Sequence, residues 1–199
     1  MRKYLAVLSL FLALSPTVYG KKNSSDPWQN IRDALDEATT TNAPSTPRID
    51  VGFSPEGSAK KLVLQIIRSA KSSLRLAAYS FTSPDIVRAL LAAKKRGIDV
   101  AVLVDNRGNT SKSSQQALNL LVNAGIPTRT ISAYAIHHDK YIVVDALHVE
   151  TGSFNYSASA SSRNSENVIV LWNAPNIASQ YTEKWKQRWA QGQPYYSAY

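Results

Sequence analysis

One sequence pattern occurs twice in this chain: a predicted amphipathic helix ends in a Gly-Ile pair, and a short apolar segment typical of a strand follows. The pairs are Gly97-Ile98 and Gly125-Ile126, and glycine is favoured just past a helix because it accepts the left-handed backbone conformation. Helices that alternate with buried strands in this way are typical of βαβ crossovers. We therefore predict an α/β fold with a mixed, mostly parallel sheet and helices on both faces.

The rest of the chain alternates in the same manner. Further strands are predicted at 49–53, 73–80, 99–105, 128–133 and 167–172. Helices are predicted from Ser54-Pro55 to about 70, from Ser83-Pro84 to Gly97, from 112 to 124 and from 177 to 190. A chain of 199 residues is long enough to bury a sizeable core in one such domain.

The charge and the cysteine content narrow the set of partners. The chain has 23 Lys and Arg against 14 Asp and Glu, a net charge of +9, which favours nucleic acid or an anionic membrane surface. Many small secreted proteins are also basic, so the charge alone does not decide. With no cysteine and three histidines, neither a thiolate nor a histidine-rich metal site is expected, and we predict no metal or other cofactor.

Two neighbouring segments in the second half of the chain form a predicted hairpin. Residues 140–144 and 147–153 are rich in aromatic and β-branched side chains. Asp145-Ala146 between them fits a two-residue loop. In that register Lys140 lies opposite Thr151, and the residues that precede and follow the strands continue the same pairing.

Four polar side chains share one surface in this register, because side chains alternate between the two faces of a strand. They are His138, Lys140, Ser153 and Asn155. Neutral imidazole is a nucleophile near neutral pH, and an ammonium group suits a phosphate oxygen. Serine and asparagine add neutral donors, so the set fits attack on a phosphodiester without a metal ion. Asp145 is oddly spaced from His138 and Lys140, which assigns it to the turn or to an indirect role.

These residues resemble the signature of the phospholipase D superfamily, His-x-Lys-x4-Asp followed by Gly-Ser-x-Asn. The wider segments 53–56, 78–82 and 164–167 are similar to the small Nuc-type bacterial endonucleases in particular. The likeness covers roughly residues 49 to 199, and the paired motif is far more specific than a lone His-x-Lys.

The resemblance implies a covalent phosphohistidine intermediate, no metal ion and a broad preference among nucleic acids. It makes His138 the nucleophile and assigns the phosphate cradle to Lys140, Ser153 and Asn155. Glu166 is implied to orient the imidazole, and Asp145 completes the motif. The predicted catalytic set is therefore His138, Lys140, Asp145 and Glu166, with no metal ligand.

A single motif predicts two chains. Cleavage through a covalent intermediate requires a nucleophile and a general acid for the leaving oxygen, and the chain carries one such motif. His137 is expected on the opposite face from His138, and His148 also points away. The simplest source of the second imidazole is another copy related by a two-fold axis, so we predict a homodimer with a composite active site.

The N-terminus has the features of a secretory signal. Arg2 and Lys3 precede an apolar run at 5–14, and Val18-Tyr19-Gly20 offers a cleavage site. The run is too short to span a bilayer, although a retained signal anchor is the alternative. We predict a signal peptide at 1–20, an extension and linker at 21–48 and the nuclease domain at 49–199. The mature protein would be periplasmic or secreted by a bacterium, without stable membrane insertion.

Three functions compete. The first is a secreted, metal-independent endonuclease that cuts DNA, with RNA as a second candidate substrate. The second is a phospholipase D that acts on phospholipid head groups, and the third is a non-catalytic, cationic envelope protein that binds nucleic acid. The segment 105–109, which follows a strand, is open to two interpretations: Arg107 fits a phosphate contact, and a turn fixed by Gly108 explains the same residues.

Overall fold

The computed structural model describes residues 31–32 and 46–197. The chain divides into two units, Met1–Ala43 and Pro44–Tyr199, and the described residues belong to the second unit except for Ile31 and Arg32, which are helical. The predicted signal peptide lies outside the described residues, as does most of the predicted extension. Both remain predictions.

Eight strands and five α-helices make up the described part of the second unit. The strands are β1 (Arg48–Ser54), β2 (Ser73–Ala78), β3 (Asp99–Asp105), β4 (Thr128–Ile131), β5 (Lys140–Val144), β6 (His148–Gly152), β7 (Glu166–Trp172) and β8 (Gln193–Pro194). The helices are α1 (Ser58–Ser69), α2 (Pro84–Lys95), α3 (Lys112–Asn123), α4 (Ala158–Ser162) and α5 (Pro175–Gln191), with a short 3₁₀ helix at Arg107–Asn109. The first helix begins at Ser58, later than the predicted Ser54-Pro55, because β1 continues to Ser54.

The strands form one sheet in the order β1-β7-β6-β5-β2-β3-β4-β8. The mixed α/β class is confirmed, but the expectation of mostly parallel pairing is wrong. Among the described strands, the pairs β2–β3 and β3–β4 are parallel, and the other five pairs are antiparallel. Parallel neighbours need a long crossover, which α2 and α3 provide, whereas β5 and β6 are joined by a tight turn.

Helices cover both faces of the sheet, as predicted. α1, α2 and α3 pack against alternate residues of the central strands, such as Leu74, Leu76 and Val102, and these residues form the larger core. α5 packs on the opposite face, where Trp185 belongs to the same buried cluster as Leu103 and Val143. The period-two alternation along each strand therefore supplies two cores from one sheet.

The β5–β6 hairpin differs from its predicted register by one residue. Asp145 and Ala146 both have positive φ, 56° and 52°, and the Leu147 N–H donates to the Val144 carbonyl at 3.0 Å, which makes the tight primed turn of hairpins. Leu147 is an extra residue, however, so Val144 pairs with His148 and Tyr141 pairs with Thr151. Since one residue of slip reverses the faces, Thr151 lies on the face of Tyr141 and not on that of Lys140.

Candidate active site

The candidate site lies at one end of the strands, where β2, β5, β6 and β7 begin or finish. Lys140 is the first residue of β5, and it pairs with Ala78, the last residue of β2. Ser153 directly follows β6, and Glu166 is the first residue of β7. Because neighbouring antiparallel strands place the end of one beside the start of the next, the motif residues gather here although they are spread along the chain.

His138 and Lys140 are in direct contact. The Lys140 Nζ lies 3.2 Å from the His138 Nδ1 and donates to the His138 carbonyl at 2.9 Å. An ammonium group has donors and no acceptor, so Nδ1 accepts and a neutral ring in this arrangement carries its proton on Nε2. Lys140 is only 8% exposed, whereas His138 is an exposed residue.

The lysine is held in an environment that favours an incoming anion. Burial lowers the pKa of Lys140, and the negative charges of Glu166 and Asp139 act in the opposite direction. A partly desolvated ammonium group gains stabilisation from a further negative charge. The phosphate of a substrate would supply that charge.

Tyr79 forms one wall of the site. Its ring centroid lies 4.8 Å from that of His138, with the planes tilted by 51°. The Lys140 Nζ lies 5.5 Å from the same ring centroid, within the range of a cation–π contact. The tyrosine therefore touches both groups on which the predicted chemistry depends.

Ser153 and Glu166 form a hydrogen-bonded pair. The Ser153 hydroxyl donates to Glu166 Oε2 at 2.6 Å and accepts the Asn167 N–H at 3.0 Å. The other Glu166 oxygen accepts from the Asn164 side chain at 2.8 Å. The hydrogen-bond partners of Glu166 in the described chain are thus Ser153 and Asn164, and the predicted contact with the His138 imidazole is not among them.

Asn155 follows the turn after β6. Its side-chain oxygen is buried without a hydrogen-bond partner among the described residues, while its backbone carbonyl accepts the Ser157 N–H at 2.7 Å. A buried amide oxygen without a partner costs on the order of 1–3 kcal/mol. The assignment of Asn155 to the phosphate cradle stays a prediction.

Asp145 does not join the site, which corrects its place in the predicted catalytic set. It follows the last residue of β5, so about 17 Å of strand separates it from Lys140. Its carboxylate accepts the backbone N–H groups of Lys71, Ser72 and Ser73 at 2.8–2.9 Å. Although burial acts to raise the pKa of Asp145, these hydrogen bonds lower it. Asp145 therefore anchors the hairpin turn to the loop between α1 and β2.

A cavity of about 370 Å³ extends from the motif residues toward α5. Its lining residues include His138, Lys140, Thr151, Gln180, Lys184 and Arg188. The Arg188 Nε lies 2.9 Å from the Asp139 carboxylate, which fixes the residue between His138 and Lys140. Two lysines and an arginine against one aspartate give the cavity a positive balance.

Sequence reasoning missed Tyr79, Asp105 and Arg188. Asp105 is buried at the end of β3 and accepts the His137 N–H at 2.8 Å. The sequence predicted a candidate ligand loop at 105–109 but assigned the contact to Arg107, which is exposed. The buried Asp105 carboxylate was not predicted to have a role. Tyr79 lies in the segment 78–82 that carries part of the family resemblance, but nothing in the sequence gives it a role or marks Arg188, because their contacts come from distant segments.

The described ranges contain neither a membrane-spanning helix nor a cluster of metal ligands. Within residues 31–32 and 46–197, no helix combines the length and the apolar character needed to cross a bilayer. Across the same ranges, no three His, Cys, Asp or Glu side chains come together in a group that could hold a metal ion.

Comparison with known proteins places these residues in a family. The family model described as cardiolipin synthase, PLD-like domain, matches residues 63–189. The crystal structure of Nuc, a phospholipase D family member from Salmonella typhimurium, superposes with a TM-score of 0.76 at 55% identity. That match covers 76% of this chain and 100% of Nuc.

Relatives with names that refer to lipids are more distant. A phospholipase D of Rickettsia bellii is 34% identical over 144 residues, which are 72% of this chain and 70% of that protein. A mitochondrial cardiolipin hydrolase of Xenopus tropicalis is 31% identical over 148 residues, 74% of this chain and 66% of the relative.

Proposed function

The chain belongs to the phospholipase D superfamily and is a phosphodiesterase of that superfamily, and on this premise we propose that it is a metal-independent endonuclease that cleaves DNA. The observation that carries the proposal is the exposed His138 imidazole held 3.2 Å from the Lys140 ammonium. The 55% identity to Nuc and the net charge of +9 favour a polyanionic substrate. RNA is a second candidate substrate for the same site, since it has the same phosphodiester group and phosphate contacts carry no sequence information.

The proposed reaction has two steps. The His138 imidazole attacks phosphorus, the bond to one ester oxygen breaks, and a general acid protonates that leaving oxygen. Water then attacks the phosphohistidine and restores the free imidazole, leaving a phosphomonoester on the product. Lys140 and the hydroxyl and amide of Ser153 and Asn155 stabilise the charge that develops on the phosphate oxygens.

Phosphate binding and the histidine tautomer are coupled in this mechanism. In the structure Lys140 donates to Nδ1, which leaves the proton of a neutral ring on Nε2. Attack through Nε2 requires that Lys140 turn its donor to the phosphate and that Nδ1 take the proton. The general acid must instead be an imidazolium, protonated on both ring nitrogens, which becomes neutral when it gives its Nε2 proton to the leaving oxygen; the two imidazoles of a pair therefore have different roles.

The general acid is proposed to be His138 of the partner subunit in a homodimer. The other two histidines of the chain are unsuited: His137 is buried, and His148 accepts the Asn173 N–H at 2.8 Å beside the hairpin turn. The edge strand β1 also leaves Ile49, Val51 and Phe53 exposed by 60%, 56% and 54%. Because Phe53 pairs with Asn167, next to Glu166, this apolar stripe reaches the site and offers a surface for a second copy.

A supercoiled plasmid tests the chemistry. Nicking is expected to continue in excess chelator and to disappear in His138→Ala, while the matched variant His148→Ala retains it. Loss of nicking on chelation would remove the metal-free mechanism, and nicking by His138→Ala would remove the nucleophile. Phosphatidylcholine and cardiolipin vesicles in parallel reactions test the lipid alternative, which the names of the Rickettsia and Xenopus relatives favour.

Subunit mixing tests the composite site. When a tenfold excess of His138→Ala exchanges subunits with the wild type, most wild-type chains sit in mixed dimers that lack one imidazole. The activity per wild-type chain should then fall to roughly a tenth. An unchanged activity, or an active monomer in sedimentation, would contradict the dimeric mechanism.

We further propose export to the periplasm or the medium of a bacterium, supported by the signal features of residues 1–20. Fractionation of cells that produce the full chain should find a shortened protein outside the cytoplasm. A full-length protein that stays with the cytoplasm or the membrane would contradict it.

A further inference from the structure

The segment between β4 and β5, which carries the proposed nucleophile His138, has no regular secondary structure. Residues 132–136 are exposed, and the strand begins only at Lys140. Asp105 ties this segment to the sheet. It is 2% exposed, and its Oδ2 accepts the backbone N–H of His137, the residue before the nucleophile, at 2.8 Å.

The other oxygen of the same carboxylate fixes the loop to which Asp105 belongs. Oδ1 accepts the Gly108 N–H at 2.6 Å, which closes the 3₁₀ turn. A carboxylate with each oxygen bonded to a different backbone segment sets the distance between them. The His137 backbone is therefore held at a fixed position relative to the end of β3.

Asn109 fixes the opposite wall of the site. It is 4% exposed, and its side-chain nitrogen donates to the carbonyls of Tyr79 at 2.6 Å and Asp105 at 2.7 Å. Its side-chain oxygen accepts the Phe81 N–H at 2.9 Å. One amide thus binds the chain on both sides of Ser80, where β2 has already ended.

Gly108 completes the contact with Tyr79. A Cβ atom at position 108 would lie 2.9 Å from both the Tyr79 carbonyl oxygen and its ring atom Cε2, so the loop lies flat against the tyrosine. The tyrosine ring in turn packs on His138 at 4.8 Å between centroids. Two routes, one through the His137 backbone and one through the Tyr79 ring, lead from a single loop to the same imidazole.

We propose that Asp105, Asn109 and Tyr79 are positioning residues, which hold the His138 imidazole in line with the phosphorus atom. The inference rests on the proposed function, in which His138 is the nucleophile. A misplacement of about 1 Å in a reacting group can reduce a rate by about 10²-fold. Loss of either route should therefore lower kcat and leave substrate affinity nearly unchanged, because none of the three residues is assigned to phosphate binding.

Tyr79 gives the cleanest test, since it is partly exposed and has a matched control. Tyr79→Leu removes the ring that contacts His138, and Tyr79→Phe keeps it. With bis(p-nitrophenyl) phosphate, whose good leaving group reduces the need for a general acid, kcat of Tyr79→Leu should fall about 10- to 100-fold. KM, the melting temperature and the sedimentation coefficient should stay close to those of the wild type, and Tyr79→Phe should keep most of the activity.

Asp105→Asn tests the second route. Asparagine has one acceptor oxygen where the aspartate uses two, so one of the two backbone N–H groups loses its partner. We expect a similar loss in kcat with little change in KM. If this buried variant does not fold, the Tyr79 pair decides alone.

The outcomes separate this inference from the proposed function. Wild-type kcat in Tyr79→Leu, or an equal loss in Tyr79→Phe, would overturn the positioning role while inactive His138→Ala still supports the nucleophile. A rise in KM without a fall in kcat would assign Tyr79 to substrate binding and also overturn it. Activity in His138→Ala would instead overturn the proposed function itself.

Discussion

Glu150 is a carboxyl group placed in the middle of the larger core, and its replacement has a calculable effect. It is fully buried on β6, and its Oε2 accepts the Tyr156 hydroxyl at 2.6 Å. Burial raises the pKa of Glu150 from the ordinary 4.5 to about 8, although the hydrogen bond from Tyr156 acts to lower it. The folded protein therefore keeps this side chain protonated at neutral pH.

Proton linkage gives the sign and the size of the effect that Glu150 has on the free energy of unfolding. Between pH 4.5 and 8 the folded state holds a proton that the unfolded chain has released, so the free energy of unfolding falls as the pH rises. The folded-state pKa lies about 3.5 above the ordinary value, and each pH unit corresponds to about 1.36 kcal/mol, so the loss is on the order of 5 kcal/mol. It is absent below about pH 4.5 and complete near pH 8.

Glu150→Gln removes this titration and keeps the shape of the side chain. The variant and the wild type should have similar stability at pH 4.5, and the variant should become more stable as the pH rises, by on the order of 5 kcal/mol at pH 8. Urea unfolding at both pH values measures the difference. Glu183→Gln, at an exposed position paired with Lys186, is the control. Parallel pH profiles for wild type and Glu150→Gln would refute the reasoning.

Three further predictions concern the site, the hairpin and the dimer. Lys140→Met should lower kcat for plasmid nicking by about 10²–10³-fold, because it removes a preorganised donor to the phosphate oxygens; a near-normal rate would contradict its role. Asp145→Ala should lower the free energy of unfolding by about 1–3 kcal/mol, since it removes the hydrogen bonds of a charged carboxylate to several backbone N–H groups. Its kcat at saturating substrate should stay near that of the wild type, and a collapse of kcat in a folded variant would restore Asp145 to the catalytic set. Val51→Asp should shift the sedimentation profile toward monomer without lowering the melting point of the monomer, because Val51 is exposed in the single chain; an unchanged dimer would place the interface elsewhere.

The β5–β6 hairpin shows that a residue pattern can predict strands and a turn but not the pairing register. The strand segments and the Asp145-Ala146 turn follow from residue types, and both are present in the structure. The register was wrong because one additional residue, Leu147, enters the connection. Period-two alternation cannot detect such a residue, since both registers place apolar side chains on a buried face. The motif residues still meet, because they lie at the strand ends and beyond them.

The sequence by itself determined the mixed α/β class, the order of most elements and the contact between His138 and Lys140. These follow from local properties: side-chain periodicity, helix-stop glycines and a short motif within 18 residues, from His138 to Asn155. Only the tertiary structure decided which groups hold them. Tyr79, just after β2, packs on His138, and Asp105, at the end of β3, accepts the N–H of the preceding His137. Glu166 accepts from Ser153, and Asp145 binds the loop before β2. The physical reason is that hydrogen bonds and ring contacts between distant segments depend on strand order and register, and these are settled by packing of the whole sheet.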